Sequence, residues 1–161
     1  MKKPSNTKSI TAKKVWWMKI LPFQAMTVCG TIYVGTDSAL NKINATAGID
    51  SSLENHEMVH VRQAWSTKNC WLLFYLTYMC EWLYNLPLLF VDVYAPYKFM
   101  PMELEAYRHQ YEKDYNVDEM TTGWKKYTTL KMSTRRSLAK EWYGGESKKS
   151  TFADFIKKRL G

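Results

Sequence analysis

The sequence predicts an α+β fold, mostly helical. Three observations lead there: one short β-branched and aromatic run at Met26 to Val34, four segments with helix start or stop signals, and an apolar stretch interrupted at every fourth residue. The chain has 161 residues, of which 46% are hydrophobic and 24% charged, a balance that suits one globular domain with a sizeable core. It carries no internal repeat, zinc finger, P-loop or dinucleotide fingerprint.

Residues 1–14 have almost no apolar content and no periodicity, which predicts a disordered basic arm. The run "MTVCGTIYV" ending at Gly35 predicts one strand or a bent pair, with Gly30 at a bulge. Ser51 followed by Glu54 is a capping box, so a helix is expected from about Ser52 to Ser66. In residues 71–95, 20 of 25 positions are apolar or Tyr. Thr77, Glu81 and Asn85 recur there every fourth residue, and Pro87 and Asp92 then break the run. That pattern predicts a buried amphipathic helix with one polar stripe, since a membrane span needs about 18 nearly uninterrupted apolar residues. "YAPYKFMPME" reads as a loop, and the next helix is expected from Pro101 to about Tyr115 because proline is tolerated in a first turn. Ser133 to Tyr143 predicts a helix stopped by Gly144 and Gly145, and Thr151 with Asp154 opens a last one. That helix places Phe152, Phe155, Ile156 and Leu160 on one side, with Lys157, Lys158 and Arg159 beside them.

Charge divides the chain. Residues 1–23 hold six Lys and no acid; residues 24–123 hold six Lys or Arg against twelve acids; residues 124–161 hold eleven against three. The division predicts a basic arm (1–14), a core domain (15–123) and a basic helical extension (124–161). Basic ends of this kind bind phosphates, anionic lipid or acidic protein, or merely solubilise. Cys29, Cys70 and Cys80 form no CxxC pair and sit among apolar neighbours, which predicts buried free thiols in a reducing compartment. Lys2 and Lys3 lead into a polar run, and the patch from Val15 to Phe23 is broken by Lys19 and Pro22, so no secretory signal is read and a cytoplasmic location is expected.

Chemistry concentrates in "HEMVH", His56 to His60, inside the expected capped helix. Two His at i and i+4 lie one above the other, so both imidazoles can reach one Zn²⁺. Glu57, one step round the helix, is placed to act as general base toward a water made acidic by the ion. The third ligand must come from elsewhere, because Gln63 and Ser66 stand where a short HxxGxxH pattern would continue. "PMELEAYRHQ" offers Glu103 and Glu105, two residues and so about 200° apart on a helix, of which only one can face the ion. His109 shares a face with Glu105 by its spacing of four. Spacing leaves the two glutamates undecided.

These residues resemble the gluzincin clan of zinc metallopeptidases, and most closely small, minimal members with "HExxHVxQ" and a later "ExEA". The matching segments are "NHEMVHVRQAW" (Asn55 to Trp65), "ELEAY" (Glu103 to Tyr107) and "GTIYVG" (Gly30 to Gly35), the last where such proteins place the strand that edges the substrate cleft. The resemblance covers about ninety residues and leaves the ends outside. It implies a small zincin-like core with an active-site helix, a short edge strand or hairpin before it and a second, glutamate-bearing helix. It also implies His56, His60 and Glu103 as zinc ligands, with Glu105 in reserve. Larger relatives often have Asp where this chain has Tyr107, so the hydrogen bond that orients a metal-binding His is made differently here.

The expected function is therefore zinc-dependent hydrolysis of a peptide or protein substrate. His56, His60 and Glu103 hold the ion and Glu57 is the base. His109 or Tyr107 is the donor to the oxyanion, and the Thr31 to Val34 edge pairs with the extended substrate. Gln63 and Arg62 are placed to brace the helix. Two alternatives are a non-catalytic component of a larger assembly, such as a phage virion, and a module that holds nucleic acid or an anionic membrane by charge.

Overall fold

A computed structural model of the chain describes residues 11–20, 25–44, 52–112, 115 and 121–161. Ser51 of the expected capping box and residues 1–10 of the basic arm lie outside them.

Thr11–Lys14 (β1), Ala25–Val28 (β2) and Thr31–Val34 (β3) form one sheet in the order β1-β3-β2. The bent pair is a β2–β3 hairpin with Thr27 opposite Ile32. Its two-residue turn requires positive φ at both positions, which Cys29 (47°) and Gly30 (78°) adopt, so Gly30 makes a turn and not a bulge. β1 pairs in parallel with β3, Thr11 opposite Thr31. Two expectations change as a result. The end of the presumed disordered arm is a strand, and Thr31 to Val34 is the central strand, not an exposed edge. Strand pairing uses backbone amides and carbonyls, so "TAKK" enters the sheet without an apolar alternation to announce it. Among the described residues the sheet has two edges, β1 beside α1 and β2 beside α2.

Ile32 and Val34 are fully buried and pack with Ala25 and Ala39. Ala39 belongs to Asp37–Asn44 (α1), whose first turn is capped by the Thr36 hydroxyl accepting from the Ala39 amide at 3.1 Å. Ser52–Ser66 (α2) has the predicted bounds. It packs against the sheet on one side and, on the other, against the later helix Pro101–His109, which starts at Pro101 as expected and ends short of Tyr115.

Residues 71–95 depart most from expectation. Trp71–Tyr84 (α3) gives way at Leu86–Phe90 to a tight 3₁₀ turn opened by Pro87, and then to the short helix Ala95–Lys98 (α4). Of α3 only Phe74 is buried, while Leu72, Leu76, Met79 and Leu83 face outward. Of the polar stripe, Glu81 and Asn85 turn inward instead. Arg135 is 1% exposed, and a buried guanidinium must find acceptors. It donates to Glu81 at 3.2 Å, Asn85 at 2.8 Å and the Tyr127 carbonyl at 3.2 Å. No helix among the described residues is long and apolar enough to cross a membrane. Cys29, Cys70 and Cys80 are exposed, contrary to expectation: one is in the hairpin turn, one precedes α3 and one lies on its outer face.

Pro101–His109 is α5. Beyond it lie Lys125–Thr128 (α6), Met132–Tyr143 (α7) and Phe152–Leu160 (α8), the last capped by Thr151, whose hydroxyl accepts from the Asp154 amide at 3.2 Å. Phe152, Phe155 and Ile156 of α8 and Trp142 of α7 pack with Leu88, Phe99 and Leu104 in one core. Residues 124–161 thus share the core of the residues before them.

Candidate metal centre

His56, Glu57 and His60 stand on consecutive turns of α2, and Glu103 reaches them from the first turn of α5. Helical spacing brings the two imidazoles together edge-on, with ring centroids 5.0 Å apart. Glu103 spans both: Oε2 is 3.3 Å from His56 Nε2 and Oε1 is 3.1 Å from His60 Nε2. One ligand atom from each residue lies within 4.8 Å of the others. The choice left open by spacing falls on Glu103. Glu105, on the opposite side of α5, bonds instead to Gln63 at 2.7 Å and to Tyr115 at 2.8 Å.

The protons show what the triad requires. Gln63 Oε1 lies 2.9 Å from His60 Nδ1, and an amide oxygen only accepts, so Nδ1 carries a proton. In the neutral ring Nε2 is then a bare acceptor facing the carboxylate of Glu103, another acceptor. Only a cation between them resolves the contact, either a second proton or a metal ion. Burial opposes charge on His60, but Glu103, with lesser contributions from Glu57 and Gln63, raises its pKa to about 9. Burial also works against ionised Glu103, yet His60 and His56 hold it well below the usual carboxylate range. Two imidazoles and a carboxylate, buried and mutually aimed, could hold a metal ion. His56 Nδ1 has no hydrogen-bond partner among the described residues; the Tyr107 ring packs edge-on at 4.5 Å and holds this imidazole by shape.

The triad opens into a cavity of about 990 Å³ between α2, α3, α5 and the β2 edge. Glu57 lines it, and the Thr27 hydroxyl donates to Glu57 Oε2 at 2.5 Å. Tyr78, Tyr97 and Tyr107 line it too. Burial, reinforced by the Glu103 charge, pushes all three phenols above their ordinary pKa, so they remain protonated donors. Tyr78 donates to Glu103 Oε1 at 2.6 Å, and Tyr97 is hydrogen-bonded to Tyr107.

His109 does not line this cavity. It stacks on Tyr115 with centroids 3.5 Å apart and bonds Glu112 at 2.5 Å. Its turn of α5 carries it to the Glu105 side, which removes it from the expected donor role and leaves Tyr107 of the two candidates. Arg62 braces α2 by donating to the Tyr115 carbonyl. Sequence reasoning missed Thr27 and Tyr78, which reach the site from β2 and α3 and carry no local signal. Gln63 was recognisable, since i+3 from His60 places it on the same face.

Set against known proteins, the chain matches no family model, no curated protein and no solved structure. The capacity to hold a metal ion at His56, His60 and Glu103 therefore stands on this geometry alone.

Proposed function

We propose that this protein is a zinc-dependent peptidase of the gluzincin type. The observation that carries the reading is a buried carboxylate, Glu57, held free of the His56–His60–Glu103 set but within the same cavity. A purely structural ion has no use for a second acid held there by Thr27. Zinc, when bound, supplies Lewis acidity that polarises a carbonyl and makes water a better nucleophile at neutral pH.

The chain's own residues account for the remaining steps. The two-residue hairpin loop turns the backbone groups of Ala25 and Thr27 away from β3, and Tyr75 already donates to the Thr27 carbonyl at 3.4 Å. An extended peptide laid along β2 could use the same outward groups. Glu57 takes a proton from the attacking water as its oxygen bonds to the peptide carbon, and returns that proton to the amine as the C–N bond breaks. Tyr107, kept protonated and accepting from Tyr97, donates to the developing oxyanion.

Elemental analysis joined to a peptide-cleavage screen tests this. About one zinc per chain is expected, lost in a His56→Ala, His60→Ala double variant. Glu57→Gln should keep the metal and lose cleavage. Zinc-loaded protein that cleaves nothing in broad peptide libraries would favour the alternative of a non-catalytic component of a larger assembly, the reading supported by the outward apolar face of α3.

A further inference from the structure

We propose that Gln63 and Glu105 are positioning residues, which fix the proton of His60 on Nδ1 and so turn its Nε2 lone pair to the ion. The inference rests on the metal-centre reading above and adds to it what aims the ligand. Gln63 is fully buried, and its amide has three polar neighbours. Nε2 lies 2.9 Å from the Met102 carbonyl and 2.7 Å from Glu105 Oε2, while Oε1 lies 2.9 Å from His60 Nδ1. A carbonyl and a carboxylate only accept, so the amide nitrogen must face them and the oxygen must face the ring. Reversing the amide would set its oxygen against two other oxygens. His60 therefore cannot exchange its tautomer without breaking two buried hydrogen bonds.

Glu105 in turn is clasped. Its Oε1 accepts from Tyr115 at 2.8 Å and from the Thr121 hydroxyl. Gly123 closes over the same oxygen, where a Cβ would stand 2.2 Å away. The segment after α5 is thereby tied, through one carboxylate and one amide, to a ligand on α2. A neutral Glu105→Gln side chain cannot serve both neighbours in the same way. If its oxygen stays with Tyr115 and Thr121, its NH₂ meets the NH₂ of Gln63 and favours the reversed amide, which places the His60 proton on Nε2.

The test uses the full chain and zinc alone as ligand. Wild type, Gln63→Leu and Glu105→Gln are compared for zinc affinity by competition with a chromogenic chelator. The metal-free proteins are also compared in alkaline solution for the ring ¹⁵N shifts of His60, assigned with His60→Ala. Both variants should bind zinc about 10- to 100-fold more weakly, and the ring should move from the Nδ1–H form towards Nε2–H. Glu105→Gln keeps the side-chain volume and carries the test where Gln63→Leu does not fold. Folded variants with affinity within about threefold of wild type and an unmoved tautomer would overturn the proposal. Its failure is distinct from that of the metal-centre reading: wild type that takes up no zinc sinks the latter, while the ring shifts still report on Gln63 and Glu105.

Discussion

His60 Nε2 and Glu103 Oε1 face each other at 3.1 Å across the junction of α2 and α5, two buried acceptors that come to rest only with a cation between them. In the metal-free protein that cation is a proton, because the Glu103 charge outweighs the burial of the ring and lifts the His60 pKa to about 9. A metal ion must displace it. Between about pH 6.5 and 9 zinc affinity should therefore rise about tenfold per pH unit, with one proton released per ion. Calorimetry in buffers of different ionisation enthalpy measures that proton, and uptake without release would contradict the pairing. The stability of the metal-free chain has the opposite sign. A folded pKa above the unfolded value near 6.5 means that the pair's contribution is complete below pH 6.5 and fades as pH rises through about 9.

Thr27 gives the general base its orientation. Its hydroxyl donates to Glu57 Oε2 at 2.5 Å, and valine has nearly the same shape without the donor. A hydrogen bond to a charged group contributes about 1.5–3 kcal/mol, so Thr27→Val should lower kcat by roughly 10- to 100-fold with zinc content and KM little changed. Steady-state kinetics on protein of measured zinc content decides. A change confined to KM would place Thr27 with substrate rather than with the base.

How far the site was legible depended on whether its signal was local. The bounds of α2 followed from the capping signal of Ser51 and Glu54, and the closeness of His56 and His60 followed from a spacing of four. Glu103 and Glu105 were separable as alternatives because two residues turn a helix by about 200°. The same geometry held a warning about His109: six residues on from Glu103 it is about 120° round α5, so it could not join Glu103 at one ion-facing stripe. What spacing did not carry were groups that meet only after folding. Tyr78 reaches Glu103 from α3, β1 joins β3 through its backbone, and Arg135 draws Glu81 and Asn85 inward. A polar stripe on an apolar helix reads as the solvent face until a buried cation elsewhere in the chain claims it.

Gly123 is needed for the clasp on Glu105. A methyl group there would stand 2.2 Å from Oε1, closer than any real contact, so the carboxylate or the backbone must shift. Overpacking of this kind costs about 1–3 kcal/mol. Gly123→Ala should lower the denaturation midpoint accordingly and, because Glu105 holds Gln63, should weaken zinc binding as well. Stability lost with zinc affinity intact would separate the clasp from the metal centre.

The two sides of α3 make opposite predictions. Phe74 is 3% exposed and packs with Ala64, Met102 and Trp124, so Phe74→Ala should destabilise the fold by about 3–5 kcal/mol. Leu72 and Met79 are 69% and 49% exposed, and surface changes away from special contacts are usually within about 0.5 kcal/mol. A Leu72→Lys, Met79→Lys double variant should therefore unfold at nearly the same denaturant concentration as wild type. It should also bind less of a hydrophobic dye and elute earlier from a hydrophobic-interaction column, because an apolar face of this size gathers such ligands when nothing covers it. Urea titrations of both variants give the comparison. A double variant as unstable as Phe74→Ala would return α3 to the interior, and the inward stripe of Glu81 and Asn85 would then need another explanation than Arg135.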